Sequence, residues 1–161
     1  FRRVLFRSEG TIGRLDEWLA EGRIDASLNF RDSQQAIGDE TRIGKVDTYL
    51  VGRPGDALLK RPTVPFAKLN GLPLILSATP SGLRATLDRL AGESGIALNP
   101  VIEADSATLH LELAMNGFGY AIMTPQAIAP ELKQKRIAAS RIVEPRIVRV
   151  ITLGTSVRHS P

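Results

Sequence analysis

The stretch GLPLILSATPSGLRATLDRLAGESG, residues 71–95, decides the fold class. Leu72–Leu76 is a short apolar run bounded by glycine and by polar residues, the pattern of a strand buried on both faces. A helix follows at once. Thr79 is positioned to cap it, and Pro80 suits the first helical position, where its missing N–H would have no intrahelical partner. Leu83, Leu87, Leu90 and Ala91 form the buried stripe, and Gly95 ends the helix. A doubly buried strand passing directly into an amphipathic helix is the repeating unit of a parallel sheet covered by helices.

The alternation continues on both sides. Downstream, Val101–Ala104 reads as a strand and Ser106 as the cap of a helix ending at Asn116-Gly117. Leu109, Leu111, Leu113 and Met115 alternate as a strand would, but the Ala, Leu, Glu and Met content and the two caps favour helix. Tyr120–Met123 is a strand, Thr124-Pro125 repeats the cap-plus-proline start, and Ile147–Leu153 is a final strand. Upstream, Ile12, Leu15, Trp18 and Leu19 fall at helical spacing before Gly22. Ile24, Ala26 and Leu28 then alternate as in a strand with one buried face. Residues 31–40 read as a loop and Ile43–Val51 as a second strand. Pro54-Gly55 breaks it, and Pro62 and Pro65 suit short turns and one-turn helices. The expected class is α/β, with a mostly parallel sheet and helices on both faces.

Composition bounds the partners. A chain of 161 residues with 43% apolar and 24% charged residues suits one globular domain or two small lobes. The net charge of +4 and the pI near 9.8 invite a nucleic-acid reading. However, Arg2, Arg3 and Arg7 lie in the first eight residues, FRRVLFRS, which hold no acid. The rest is nearly neutral and lacks the clustered basic face that phosphate binding needs. The octapeptide fits no element and reads as a translated sequencing-adapter remnant, with the protein proper starting near Glu9; the alternative is an ordinary basic tail. The absence of cysteine excludes disulfides, thiolate catalysis and cysteine-bound zinc. No apolar run approaches the roughly 20 residues that span a bilayer, and the octapeptide is too short and charged for a signal peptide.

In parallel sheets, ligands bind beyond the carboxyl ends of strands, where helix N-termini offer unpaired N–H groups. Three such turns are legible. Leu76–Gly82 carries the hydroxyls of Ser77, Thr79 and Ser81, and the N–H groups of Ser81 and Gly82 can meet a carboxylate, an effect of about 0.3–1 kcal/mol. Ala104–Ala107 carries Asp105 and Ser106, and Ile122–Pro125 carries Thr124. Capping alone also accounts for Thr79, Ser106 and Thr124. Catalytic sets are absent: His110 and His159 are the only histidines, and neither sits as a base beside a nucleophile or at metal-ligand spacing. His110 reads as a helix-surface or interface residue, and Asp16-Glu17 and Asp39-Glu40 as solvated faces. Gly117-Phe118-Gly119 precedes a strand, whereas a dinucleotide loop follows one, so it is not a nucleotide site. The chain is expected to be neither an enzyme nor a holder of metal or cofactor.

Taken in series, four pieces resemble the substrate-binding domain of LysR-type transcriptional regulators. They are EGTIGRLDEWLAEGRIDASLNF (9–30), VDTYLVGRPGDALLKRPTVPFAKLNGLPLILSATPSGLR (46–84), IEADSATLHLELAMNGFGYAIMTPQAI (102–128) and VRVITLGTS (148–156). The phrases LNGLPLIL and NGFGYAIMTP carry the likeness most strongly. The resemblance implies a periplasmic-binding-protein-like fold of type 2, with two Rossmann-like lobes joined by two crossing segments. Lobe one would be residues 9–70 plus the returning 146–161, and lobe two residues 71–145. A small effector, an organic acid or aromatic anion, would sit between the lobes. The matching cleft positions are Asn29, Phe30 and Arg31 in lobe one, and Ser77, Thr79, Ser81, Gly82, Asp105, Ser106 and Thr124 in lobe two. Full members of the family begin with a winged helix-turn-helix, a linker helix and a first strand, and none of these matches here. The expectation is an effector-binding fragment of a bacterial cytoplasmic regulator, truncated at its N-terminus and near Ser160-Pro161. It would touch DNA only through the missing N-terminal domain, associate with no membrane, and be a homo-oligomer when intact. The alternative is an extracytoplasmic solute-binding protein of the same fold.

Overall fold

The structure, a computed structural model, describes residues 6–8, 10–32 and 39–156. Two sheets organise it. The smaller holds β1 (Ala26–Asp32), β2 (Thr41–Asp47) and β9 (Val148–Thr155) in the order β1-β9-β2, with both pairings antiparallel. The larger holds β3 (Tyr49–Gly52), β4 (Thr63–Pro65), β5 (Pro73–Leu76), β6 (Asn99–Glu103), β7 (Tyr120–Met123) and β8 (Ala138–Val143) in the order β4-β8-β3-β7-β5-β6. In the larger sheet only β3 runs against its neighbours, and the β4–β8, β7–β5 and β5–β6 pairs are parallel. The expected parallel sheet is therefore found in the larger unit. The smaller is antiparallel because β9 returns alongside both β1 and β2.

Alternation along the larger sheet builds a core on each face. Leu50, Leu74, Leu76, Ile122 and Ile142 face one side, where α2 (Gly82–Ser94) lays down Leu87 and Ala91 and the 66–69 turn adds Phe66 and Leu69. Val51, Ile75, Ala121 and Met123 face the other, against Ala114 of α3 (Ala107–Met115) and Ile128 of α4 (Pro125–Lys133). The segment 107–115 is thus helical despite its two-residue alternation. Its buried residues are His110 and Ala114, four apart on one face, while Leu109 is exposed, so the period-two leucines do not mark a strand face.

Several expectations need correction. Thr79 does not cap α2 and Pro80 is not its first residue. Ser81 remains extended, at φ −139° and ψ 134°, and the helix opens at Gly82. Its first turn closes with the Ala85 N–H donating to the Ser81 carbonyl at 2.9 Å. The strand read over Ile43–Val51 is two strands in different sheets, broken at Thr48. The division between the two sheets therefore falls at Thr48. Residues 31 and 32, read as loop, extend β1, and residues 33–38 lie outside the described residues. So do residues 1–5, most of the octapeptide.

The buried face of β1 is also the reverse of the one expected. Ser27 and Asn29 are buried while Leu28 is 53% exposed. The helix α1 (Ile12–Ala20) lies over the Ser27 and Asn29 face, with Leu19 close against Gly154 of β9. On the other face, Leu28 pairs across the sheet with the exposed Leu153.

Candidate functional site

Because β5, β6 and β7 are parallel neighbours, their carboxyl ends open on one sheet edge. That brings the Ser77–Gly82, Asp105-Ser106 and Thr124 turns into a row. Two contacts tie the first two turns together. The Ala78 N–H donates to Asp105 Oδ1 at 3.2 Å, and Arg84 in the first turn of α2 bonds Glu103 at 2.5 Å, Asp88 at 3.0 Å and the Ser77 carbonyl at 3.3 Å. Hydrogen bonding to Glu103 is the main reason the Arg84 guanidinium is held above its ordinary pKa. Ser106 caps α3, accepting the Leu109 N–H at 3.3 Å, so capping accounts for its hydroxyl. Ser81 and Thr124 occupy the N-cap positions of α2 and α4 without a side-chain cap bond. Thr79 is exposed.

Behind Ser77 lies a cavity of about 10 Å³, lined by Arg84, Leu87, His110 and Ile122 among others, with room for about one water. His110, read as a helix-surface or interface residue, is buried at 7% exposure with its Nε2 2.7 Å from the Ala104 carbonyl, so it faces a neighbouring element and not solvent. The ring fastens α3 to the end of β6.

In the smaller sheet, alternation separates the three expected residues. Asn29 and Arg31 share the α1 face of β1, while Phe30 points the opposite way, opposite Ile151 of β9. Arg31 is held by two carboxylates: Glu40, through Nε at 2.6 Å and Nη2 at 2.8 Å, and Asp16 of α1 at 2.6 Å. The Asn29 amide also donates to Glu40, at 2.8 Å. These bonds, Arg31 first and then Asn29, outweigh desolvation and hold the Glu40 carboxyl at about 2. The Thr152 hydroxyl adds to the pull on Glu40, but its geometry falls short of a hydrogen bond. Of the two acids expected on solvated faces, Asp16 is 42% exposed while it pairs with Arg31, whereas Glu40 is 11% exposed.

A second buried cation lies on the opposite face. Arg149 is 5% exposed and donates to the Phe30 and Arg31 carbonyls. Burial lowers its pKa, against the field of Asp32. Asp32 in turn accepts a hydrogen bond from Thr86 of α2, joining the end of β1 to the larger sheet's helix layer. The two chain crossings lie side by side. Thr48 is fully buried; its N–H and hydroxyl reach the Ile147 carbonyl at 3.1 and 3.2 Å, and its own carbonyl accepts the Ile142 N–H at 3.0 Å. Arg146 closes on Asp47 at 2.8 Å. Sequence reading missed Asp16, Glu40, Thr48, Thr86, Arg149 and Thr152. Of these only Arg149, a cation within the alternating run VRVITL, carried a local signal.

Among the described residues, no group of three His, Asp or Glu is arranged to hold a metal, and no helix is long and apolar enough to cross a membrane. Two sheets, each packed against helix, are joined by two adjacent chain crossings at Thr48 and Ile147. The family model of the LysR substrate binding domain matches residues 6–160, and the chain belongs to that family. It is 29% identical over 106 residues to the HTH-type transcriptional regulator BbuR of Bordetella bronchiseptica, covering 66% of this chain and 33% of that protein. The chain thus spans about a third of the length of this curated relative. The effector binding domain of QuiR, solved in complex with shikimate, superposes with a TM-score of 0.77 at 19% identity, over 94% of this chain and 71% of that one. The Synechocystis CcmR regulatory domain, solved in complex with 2-PG, gives 0.76 at 13% identity, over 93% and 72%. At these identities the two structures bear on fold alone, and they agree with the periplasmic-binding-protein-like class.

Proposed function

We propose that the chain senses a small organic acid or aromatic anion at the junction of its two sheets and, in the intact regulator, passes that occupancy to an N-terminal winged helix-turn-helix that binds DNA. One observation carries the reading: the turn after β5 is tied to the turn after β6 by the Ala78 N–H on Asp105, and the helix that follows it is tied to the carboxyl end of β1 by Thr86 on Asp32. A ligand that binds one relative arrangement of the sheets better than another shifts their equilibrium by that difference in affinity. The family membership favours a regulator over the solute-binding alternative and over an enzyme. In this reading the intact protein works in the cytoplasm as a homo-oligomer. Ser77, Ser81, Gly82, Asp105 and Thr124 are the proposed ligand contacts from the larger sheet, with Asn29 and Arg31 from the smaller. Thr79, Ser106 and Phe30 are peripheral to them.

The test is isothermal titration of the full-length regulator against a panel of carboxylate metabolites, with operator binding measured in parallel. Saturable binding of at least one acid, weakened tenfold or more by Gly82→Pro, which removes the N–H of the first residue of α2 at a position where proline is tolerated, is the expected result. No saturable binding, together with DNA affinity indifferent to every acid, refutes the proposal.

A further inference from the structure

The face of β1 and β9 beneath α1 is built like a receptor for a carboxylate. Asn29 and Thr152 are direct cross-strand partners and are 1% and 0% exposed. Arg31 lies two residues along the same face as Asn29. Asn29 Oδ1 and Thr152 Oγ1 are buried without a hydrogen-bond partner among the described residues. Of the two, only the Thr152 hydroxyl can donate to a carboxylate; leaving it buried and unpaired costs about 1–3 kcal/mol, so that donor is under-used, whereas Asn29 meets a carboxylate through its Nδ2. Gly154 lets α1 sit close over this face: a Cβ there would stand 2.8 Å from Leu19 Cδ2, 2.9 Å from Ser27 Oγ and 3.5 Å from Glu40 Oε1.

The occupant is the protein's own. Glu40 lies across the floor as a ligand carboxylate would, bidentate on Arg31 and bonded to Asn29. Its side chain is 11% exposed, yet the residue precedes β2 and belongs to no strand. Withdrawing it therefore breaks no sheet hydrogen bond. Asp16, the other carboxylate on Arg31, is carried by the middle of α1 and stays with the helix.

We propose that Asn29, Arg31 and Thr152 form a carboxylate-binding subsite whose resident occupant is the Glu40 side chain, and that a ligand carboxylate enters by displacing it. Tethered to the chain, Glu40 competes at an effective concentration on the order of mM or higher. A simple monocarboxylate cannot displace it at modest concentration, whereas an acid that also gains contacts elsewhere can. Glu40 thereby filters the bulk carboxylate pool of the cell. The inference rests on the sensing function proposed above and assigns Glu40 a regulatory part in it.

The test uses the whole chain and acetate as probe. In Glu40→Ala, sodium acetate is expected to raise the melting temperature saturably, beyond sodium chloride of equal ionic strength, while the parent chain shows no such difference. Restoring access raises apparent carboxylate affinity by about 10- to 100-fold, the factor removed when a competing state is no longer populated. Adding Arg31→Met to the variant is expected to abolish the rescue. Glu40→Gln is carried alongside because it keeps the side-chain volume; acetate displaces its neutral amide and gives the same rise at higher concentration. No acetate-specific rise in either variant, or an equal rise in the parent chain, overturns the proposal. Acetate rescue without metabolite binding by the full-length regulator retains the subsite and refutes the sensing function. Metabolite binding that is unchanged by Glu40→Ala and Arg31→Met does the reverse.

Discussion

Gly119 offers the sharpest check on how the larger sheet is assembled. It is buried at the entry to β7 with φ +155°, and a Cβ built there would lie 2.7 Å from the Pro73 carbonyl oxygen and 3.2 Å from Ile75 Cγ1. Neither neighbour is free to yield. Pro73 opens β5 opposite Asn99 of β6, and the next residue, Leu74, is already paired with Tyr120 of β7. Gly119→Ala therefore combines an unfavourable backbone region, about 1–3 kcal/mol, with overpacking against main chain, a further 1–3 kcal/mol. A loss of about 3–5 kcal/mol is expected, a large share of the roughly 5–15 kcal/mol that stabilises a domain. With a urea dependence of about 2 kcal/mol/M, the midpoint falls by about 2 M at unchanged slope. The matched control is Gly92→Ala in α2, where nothing lies within 4 Å of the added Cβ. It should gain about 0.5–1 kcal/mol from helix propensity. A Gly119→Ala midpoint within about 0.5 M of the parent, read beside that control by circular dichroism, refutes the close approach of β5 and β7.

Two further outcomes bear on the two faces of β1. The Glu40 carboxyl titrates at about 2 against an ordinary 4.5, so its ion pair contributes fully above pH 4.5 and is lost as pH falls toward 2. Near the surface, where solvent screens the pair, this is worth about 1 kcal/mol; Glu40→Gln should lower stability at pH 7 by that amount and converge with the parent near pH 2 in urea titrations at stepped pH. Thr86→Val removes the hydroxyl that joins α2 to Asp32 and should cost about 1–2 kcal/mol; faster amide exchange in β1 than in β5 is the accompanying signature, and equal protection of both strands in the variant and the parent argues against a bridge between the sheets.

The larger sheet was legible because its signals are local. Leu72–Leu76, Tyr120–Met123 and the capped segments around them need only runs, caps and glycines. The smaller sheet was read less well for a physical reason. Which side of β1 is buried depends on where α1 lies and on the pairing with β9, some 120 residues away, and no feature of ASLNFRD reports that choice. The alternation of Ala26 and Leu28 pointed to the wrong face. The turn residues of the larger sheet followed from strand ends, whereas the contacts of Glu40 and Asp16 with Arg31 depend on a strand register and a helix placement that no local run reports. Thr79 and Pro80 show a related limit: a proline after threonine fits a helix start equally well at Pro80 or two residues later.

Thr48 gives the junction its mechanical character. By bonding Ile147 with both its N–H and its hydroxyl, and Ile142 with its carbonyl, it welds two separate passages of the chain into one pivot. Sliding or twisting of one sheet past the other would have to break those bonds, whereas a rocking motion about their common line leaves them intact.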